Sequence, residues 1–236
     1  MKKITLYSVI LMIVLIVFTF CIKKIIFTKN GYVTVKGAAE KTVIADMAYW
    51  TISFVNAGND LSVVKDKNSA DLQVVIDFLK ENNFKPNEYK INSIELIDMD
   101  TREYKDPNQQ NRYILTQSVS VITNNVDLVS NVSQNLDQLI DKNVSIKCSY
   151  GEMKPVYKFT KLNLIKQEML KEATINAKNT AKQFAIDSNT RVGKIKYANQ
   201  GIFNITSKDK SANYDNELFA KEKEVRVVIT IDYWLK

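Results

Sequence analysis

Nineteen consecutive residues, Ile4 to Ile22, carry no charge and are built mainly from Ile, Leu, Val and Phe. As an α-helix such a run extends roughly 28 Å, against a bilayer hydrocarbon core of about 30 Å. The chain therefore reads as a transmembrane signal anchor with a short linker, residues 1–30, and a separate ectodomain, residues 31–236. A cleaved signal peptide needs small residues before the cut, but the run ends Phe18, Thr19, Phe20, Cys21, Ile22, and Phe20 also stands where a lipoprotein cysteine wants a small neighbour. Lys2 and Lys3 precede the run; Lys23, Lys24 and Lys29 follow it. Positive charge prefers the cytoplasm, so the flanks lean against export, yet a short tail ahead of one apolar helix is the usual form of a signal anchor. The expected location is a cell membrane crossed once through residues 4–22, with the C-terminal domain extracytoplasmic.

Those five lysines also explain most of the formal charge of +7, since the remaining chain holds 28 basic residues against 26 acidic ones. No basic footprint for a nucleic-acid partner remains. The chain has no histidine, and its two cysteines are Cys21, in the apolar run, and Cys148, alone in the ectodomain. Counting thus removes an intramolecular disulfide framework, a Cys/His zinc site and the histidine-based nucleophile arrangements. No cofactor is expected.

Within the ectodomain, Tyr32 to Lys36 alternates as a strand, and Ala48, Trp50, Ile52 and Phe54 occupy every second position of another, the two forming a plausible hairpin. Asp60 supplies an N-cap for a helix marked by Leu61, Val64, Leu72, Val75, Ile76 and Leu79, which ends near Asn82 and Asn83. A strand at Ile91 to Ile97 pairs with a longer one through Tyr113, Leu115, Val119 and Val121, across a polar loop carrying Asp106 and Pro107. A shorter helix is expected over Asn125 to Ile140 and a short strand over Val144 to Tyr150. Thr160 to Asp187 carries the strongest helical pattern, with Ala173, Ala177 and Ala181 in one row that reads as packing against a sheet. Strands over Val192 to Ile205 and Glu224 to Leu235 finish the chain. The order is ββαββαβαββ, an α+β fold of antiparallel β-hairpins packed with helices, preceded by the one N-terminal transmembrane helix.

Two stretches resemble a known family. Val35, Lys36, Gly37, Ala38, Ala39 and Glu40, followed by Ala45, Asp46, Met47 and Ala48, are similar to the glycine, glutamate and Pro-Asp-x-Ala opening of the SIMPL family, also called DUF541 or outer-membrane-protein-28-like, with Ala45 standing where the family has proline. Ala173, Ala177, Ala181 and Ala185, then Gly193, Lys194 and Ile195, look like that family's alanine-spaced helix and following glycine turn, and the strand at Val225 to Ile231 fits its close. The resemblance covers essentially the whole ectodomain. It implies an exported bacterial protein of α+β fold, with relatives linked to cell-envelope antigens, and brings no catalytic residues with it.

Three features are candidates for chemistry or contact. Asp98, Asp100 and Glu103 lie within six residues beside Arg102, as a calcium site or paired glycosidase carboxylates would require, although Arg102 interrupts a calcium-loop rhythm and a solvated hairpin tip is the plainer reading. The mixed-sign stretch from Lys208 through Asp215, Glu217, Lys221 and Lys223 to Glu224 reads as a solvated loop. Trp234 lies on the less apolar face of the last strand, where it suits a subunit interface or the membrane–water boundary. The sum favours a non-enzymatic, membrane-anchored envelope protein that forms a homo-oligomer or binds another envelope protein. The alternatives are an envelope hydrolase using carboxylates or a Ser/Lys pair, and a small-ligand-binding protein.

Overall fold

The computed structural model describes residues 31–103, 108–147, 153–209 and 216–236, together with the helical residues Met12 and Phe18. The expected span at Ile4 to Ile22, both cysteines and the loop residues Asp106 and Pro107 lie outside this set. Among the described residues no helix is long and apolar enough to cross a membrane.

The strands are β1 (Tyr32–Ile44), β2 (Met47–Gly58), β3 (Tyr89–Ile91), β4 (Glu95–Asp98), β5 (Tyr113–Thr123), β6 (Val156–Lys158), β7 (Val192–Ser207) and β8 (Glu222–Leu235). The helices are α1 (Leu61–Glu81), α2 (Val126–Val132), α3 (Asp137–Asp141), α4 (Leu162–Asp187) and the single turn α5 (Asn216–Phe219). Two sheets result: a three-stranded one in the order β1-β8-β7, and a five-stranded one in the order β3-β5-β2-β6 with β4 also on β5. The α+β class and its antiparallel pairing agree with the sequence.

The expected β1–β2 hairpin does not form, because the chain changes sheets at Ala45 and Asp46. Ala45 N–H donates to Lys221 O at 2.9 Å, continuing β1 along β8, whereas Asp46 N–H donates to Lys158 O at 3.0 Å beside β6. The Asp46 carboxylate accepts from Thr160 N–H at 2.6 Å and from the Thr160 hydroxyl at 2.9 Å, and Asn124 Nδ2 donates to Asp46 O at 2.8 Å. Ala45 and Asp46 together bond to three separate segments, around Lys221, around Lys158 and Thr160, and around Asn124, and so fix a corner that local alternation alone does not reveal.

Chain contacts divide the protein into two compact units: residues 40–167 with 203–226, and residues 31–39, 168–202 and 227–236. In the first, the alternate residues Ala48, Trp50, Ile52 and Phe54 of β2 pack with Val119 and Val121 of β5 under Val75, Phe78 and Leu79 of α1 and Val129 of α2. Each such large buried side chain contributes about 1.5–3 kcal/mol of transfer free energy. Helix α1 starts where the Asp60 carboxylate accepts from Ser62 N–H at 2.8 Å and ends where Asn83 turns left-handed at φ 65°, a conformation asparagine tolerates. The single helix expected over Asn125 to Ile140 is instead α2 and α3, separated by turns at Gln134 and Asn135 whose N–H groups bond back to Asn131 O and Val132 O. The expected strand at Val144 to Tyr150 is, in its described part, one bridge from Ile146 to Phe54. The short β6 and α5 had no sequence signal, and Asn92 to Ile94 break the expected strand at Ile91 to Ile97 into β3 and β4.

In the second unit Met169, Ala173, Ala177, Ala181 and Ala185 form the buried row of α4, as expected for a helix packing on a sheet. Alanine offers little apolar area, so close approach must supply the dispersion energy. A Cβ built on Gly37 of β1 would fall 2.0 Å from Ala173 O and 2.6 Å from Ala177 N. Asn176 Nδ2 donates to Ala38 O at 2.9 Å beside this contact.

Two substitutions test these joints. Gly37→Ala should lower unfolding free energy by about 1–3 kcal/mol or more, since helix backbone and not a flexible side chain must yield; an unchanged urea midpoint would contradict the contact. Asp46→Ala should cost about 1.5–3 kcal/mol through its charge-assisted bonds, measured in the same way.

Candidate functional site

Asp98 and Asp100 come together at the end of β4, but around a cation supplied by the protein itself. The Asp98 carboxylate caps the 3₁₀ turn Met99–Thr101 by accepting from Asp100 N–H at 3.0 Å. Arg112, just before β5, donates from Nε and Nη2 to its two oxygens at 3.1 and 3.0 Å, and lies 3.0 Å from Asp100 Oδ2. The Asp98 hydrogen bond raises the Arg112 pKa, and the guanidinium sits 4.9 Å above the Tyr113 ring. Asn59, at the end of β2, holds the tip from both sides: Nδ2 donates to Gln110 O at 3.1 Å and Oδ1 accepts from Arg112 N–H at 2.9 Å. Glu103 is exposed at the end of its described stretch. A general acid needs a carboxyl with a raised pKa, whereas a bidentate guanidinium favours the ionised form. Among the described residues, no three or more acidic or cysteine side chains converge as a cation would require.

Beside this clasp, where β2 meets α1, is a cleft of about 350 Å³ lined by Asn56, Asn59, Asp60, Val64, Lys67 and Ser145 among others. Lys67 Nζ is paired with the buried Asp71 carboxylate at 3.0 Å and donates to Asn143 O at 3.2 Å. Asp60 is engaged in capping α1. Asn56 is buried, and among the described residues its Nδ2 has no acceptor. Val55, Ala57, Val63 and Val64 make much of the lining apolar, and its charged groups are engaged within the protein. It suits a small uncharged molecule better than an ionic reaction.

Trp234 is half-buried, not freely exposed, on the outer face of β8. Tyr32 of β1 meets it edge-on, with ring centroids 6.3 Å apart. From β7, Lys196 Nζ lies 3.2 Å from the Tyr32 ring centroid and 5.0 Å from that of Trp234. Three strands therefore contribute one aromatic–cation cluster. Sequence alternation found Trp234, but not Lys196 or Tyr32, because that neighbourhood depends on β8 lying between β1 and β7.

Lys223 corrects the solvated reading of the charged stretch. Its side chain is buried, and Nζ donates to Glu217 O in the single turn α5. Around it the reading holds better: Lys208 pairs with Glu222 at 2.6 Å and Lys221 with Asp127 at 2.7 Å, largely in solvent. The period-two pattern carried the signal for Lys223, since it shares its strand face with Val225 and Val227.

Burial lowers the Lys223 pKa. Between that lowered value and the ordinary lysine value near 10.4 the unfolded chain binds more protons, so this group makes stability rise with pH. Lys223→Met should remove that alkaline gain. Unfolding curves of the two proteins taken from neutral pH to about 10.4 should converge as pH rises; parallel curves would refute the burial effect.

No curated protein matches the chain. The alanine row, the glycine at the helix–strand contact and the aspartate at the sheet corner all lie within the segment that matches a family model, residues 33–233. That model is described as SIMPL, protein of unknown function (DUF541), and the chain belongs to this family.

Proposed function

We propose that the chain is a membrane-tethered, non-enzymatic SIMPL module of the cell envelope, held by residues 4–22 and facing away from the cytoplasm, whose ectodomain self-associates along β7. The observation carrying this reading is the edge itself. Strand β7 is 16 residues long and outermost in its sheet, whereas edge strands are normally short or covered. Every residue from Lys194 to Gln200 is exposed. Ile195, Tyr197 and Ile202 remain 52%, 58% and 88% exposed.

Alternation puts Ile195 and Tyr197 opposite Lys196, on the face that β8 buries through Ile229, Ile231 and Tyr233. An added strand from a second copy would complete backbone hydrogen bonds and cover these side chains together. The Arg112 clasp supports the non-enzymatic part, because it engages the carboxylates with the most suggestive spacing. A second reading, binding of a small polar ligand, is favoured by the cleft at Asn56.

A fragment beginning at Gly31 should be soluble, and light scattering should give a mass above one ectodomain. Ile195→Lys combined with Tyr197→Lys should reduce it to that of one ectodomain without altering the circular dichroism spectrum. A concentration-independent mass of one ectodomain for the unsubstituted fragment would overturn self-association and favour the ligand reading.

A further inference from the structure

We infer that the end of the three-stranded sheet carrying Tyr32, Trp234 and Lys196 rests on the anionic surface of the membrane that holds the chain, an inference that relies on the proposed span at residues 4–22. Three observations converge on this end. First, Leu235 N–H donates to Gly31 O at 2.7 Å, while Arg191 and Lys236 exchange backbone bonds at 2.9 Å in both directions. These contacts bring the start of β1, the start of β7 and the end of β8 to the same place. Ile22 and Gly31 are only nine residues apart in sequence, and that connection spans at most about 32 Å even when fully extended. This end of the sheet therefore cannot be far from where the proposed span leaves the bilayer.

Second, the side chains suit that depth. Tyr32 is 51% exposed and Trp234 is half-buried against it. Tyrosine and tryptophan with apolar bodies and polar tips settle at the headgroup level. Third, the charge has the matching sign. Arg191, Lys194, Lys196 and Lys236 are exposed here, while the Asp232 carboxylate on the outer face accepts from the Thr34 hydroxyl at 2.7 Å. Asp187, at the end of α4, accepts from Gln183 Nε2 at 3.0 Å. Basic side chains close to anionic lipid are attracted over about a Debye length. Lys196 links the two contributions, placing its ammonium over both rings.

The test uses the full chain reconstituted in phosphatidylglycerol–phosphatidylcholine vesicles containing a headgroup-attached nitroxide lipid. The protein has two tryptophans, and Trp50 is only 1% exposed, so contact quenching reports Trp234. Emission should be quenched, the quenching should vanish in Trp234→Phe, and it should weaken in Lys194→Glu/Lys196→Glu, which leaves both tryptophans in place. Replacing phosphatidylglycerol with phosphatidylcholine should weaken it too. Protein that stays with vesicles through an alkaline wash but shows no quenching would overturn this surface and leave the anchor reading standing. Protein released by the wash yet quenched by added vesicles would overturn the anchor and retain the surface; release without quenching would overturn both.

Discussion

Asp46 is the residue on which the division of the chain into two sheets depends. The strands on either side of it, β1 ending at Ile44 and β2 starting at Met47, belong to different sheets, and nothing in their alternation distinguishes a corner from a hairpin turn. The distinction is made by partners remote in sequence: Thr160 takes both oxygens of the carboxylate, Lys158 takes the amide and Asn124 takes the carbonyl. Satisfying every polar group at this point costs the chain its simplest pairing, β1 on β2. In return β2 becomes an interior strand with β5 and β6 on its two sides, and its apolar alternation is buried on one face. Buried backbone groups must find partners somewhere, and here that demand selects the topology.

The two units meet the problem of burial in different ways. Residues 40–167 with 203–226 use large side chains, among which Trp50, Phe54, Phe78 and Leu79 are almost fully removed from solvent. The other unit uses alanines and a glycine, so its helix–strand contact relies on backbone proximity. Large side chains can shift rotamer to accommodate change, whereas a backbone carbonyl at van der Waals contact has no comparable freedom. Sequence tolerance should therefore be lower at Gly37 than its small size suggests.

Much of this was legible in the residues. Period-two and helical spacing located β1, β2, β5, β8, α1 and α4, because each of these buries one face along much of its length, whereas β7, also expected as a strand, leaves nearly all its residues at least partly exposed. The spacing of Ala173, Ala177 and Ala181 announced a close contact without naming Gly37 as its partner. Elements of three to five residues, such as β6 and α3, are too short to show a period. At the candidate sites, Asp98, Asp100 and Trp234 could be picked by chemistry, but Arg112, Asn59, Lys196 and Tyr32 reach them from other strands and needed the register. Lys223 was misread because its charge outweighed its place in an otherwise apolar alternation. The resemblance to SIMPL survived these local errors because it rested on the order of several weak motifs along the chain, which the family match spans.

The order β1-β8-β7 also has a temporal side. The central strand of this sheet is the last to be made, so β1 emerges from the ribosome with its hydrogen-bonding partner still uncoded into protein. Synthesis at about 5–20 residues per second leaves that strand waiting many seconds with both edges open, and pairing across so long a sequence separation is slow once it becomes available. Neither compact unit is a continuous stretch of chain, so neither can finish folding before β8 arrives. In that interval the first strand of a nascent chain of this topology has no strand of its own sheet to pair with, and interruption of synthesis ahead of Glu222 would leave a product that cannot complete either unit.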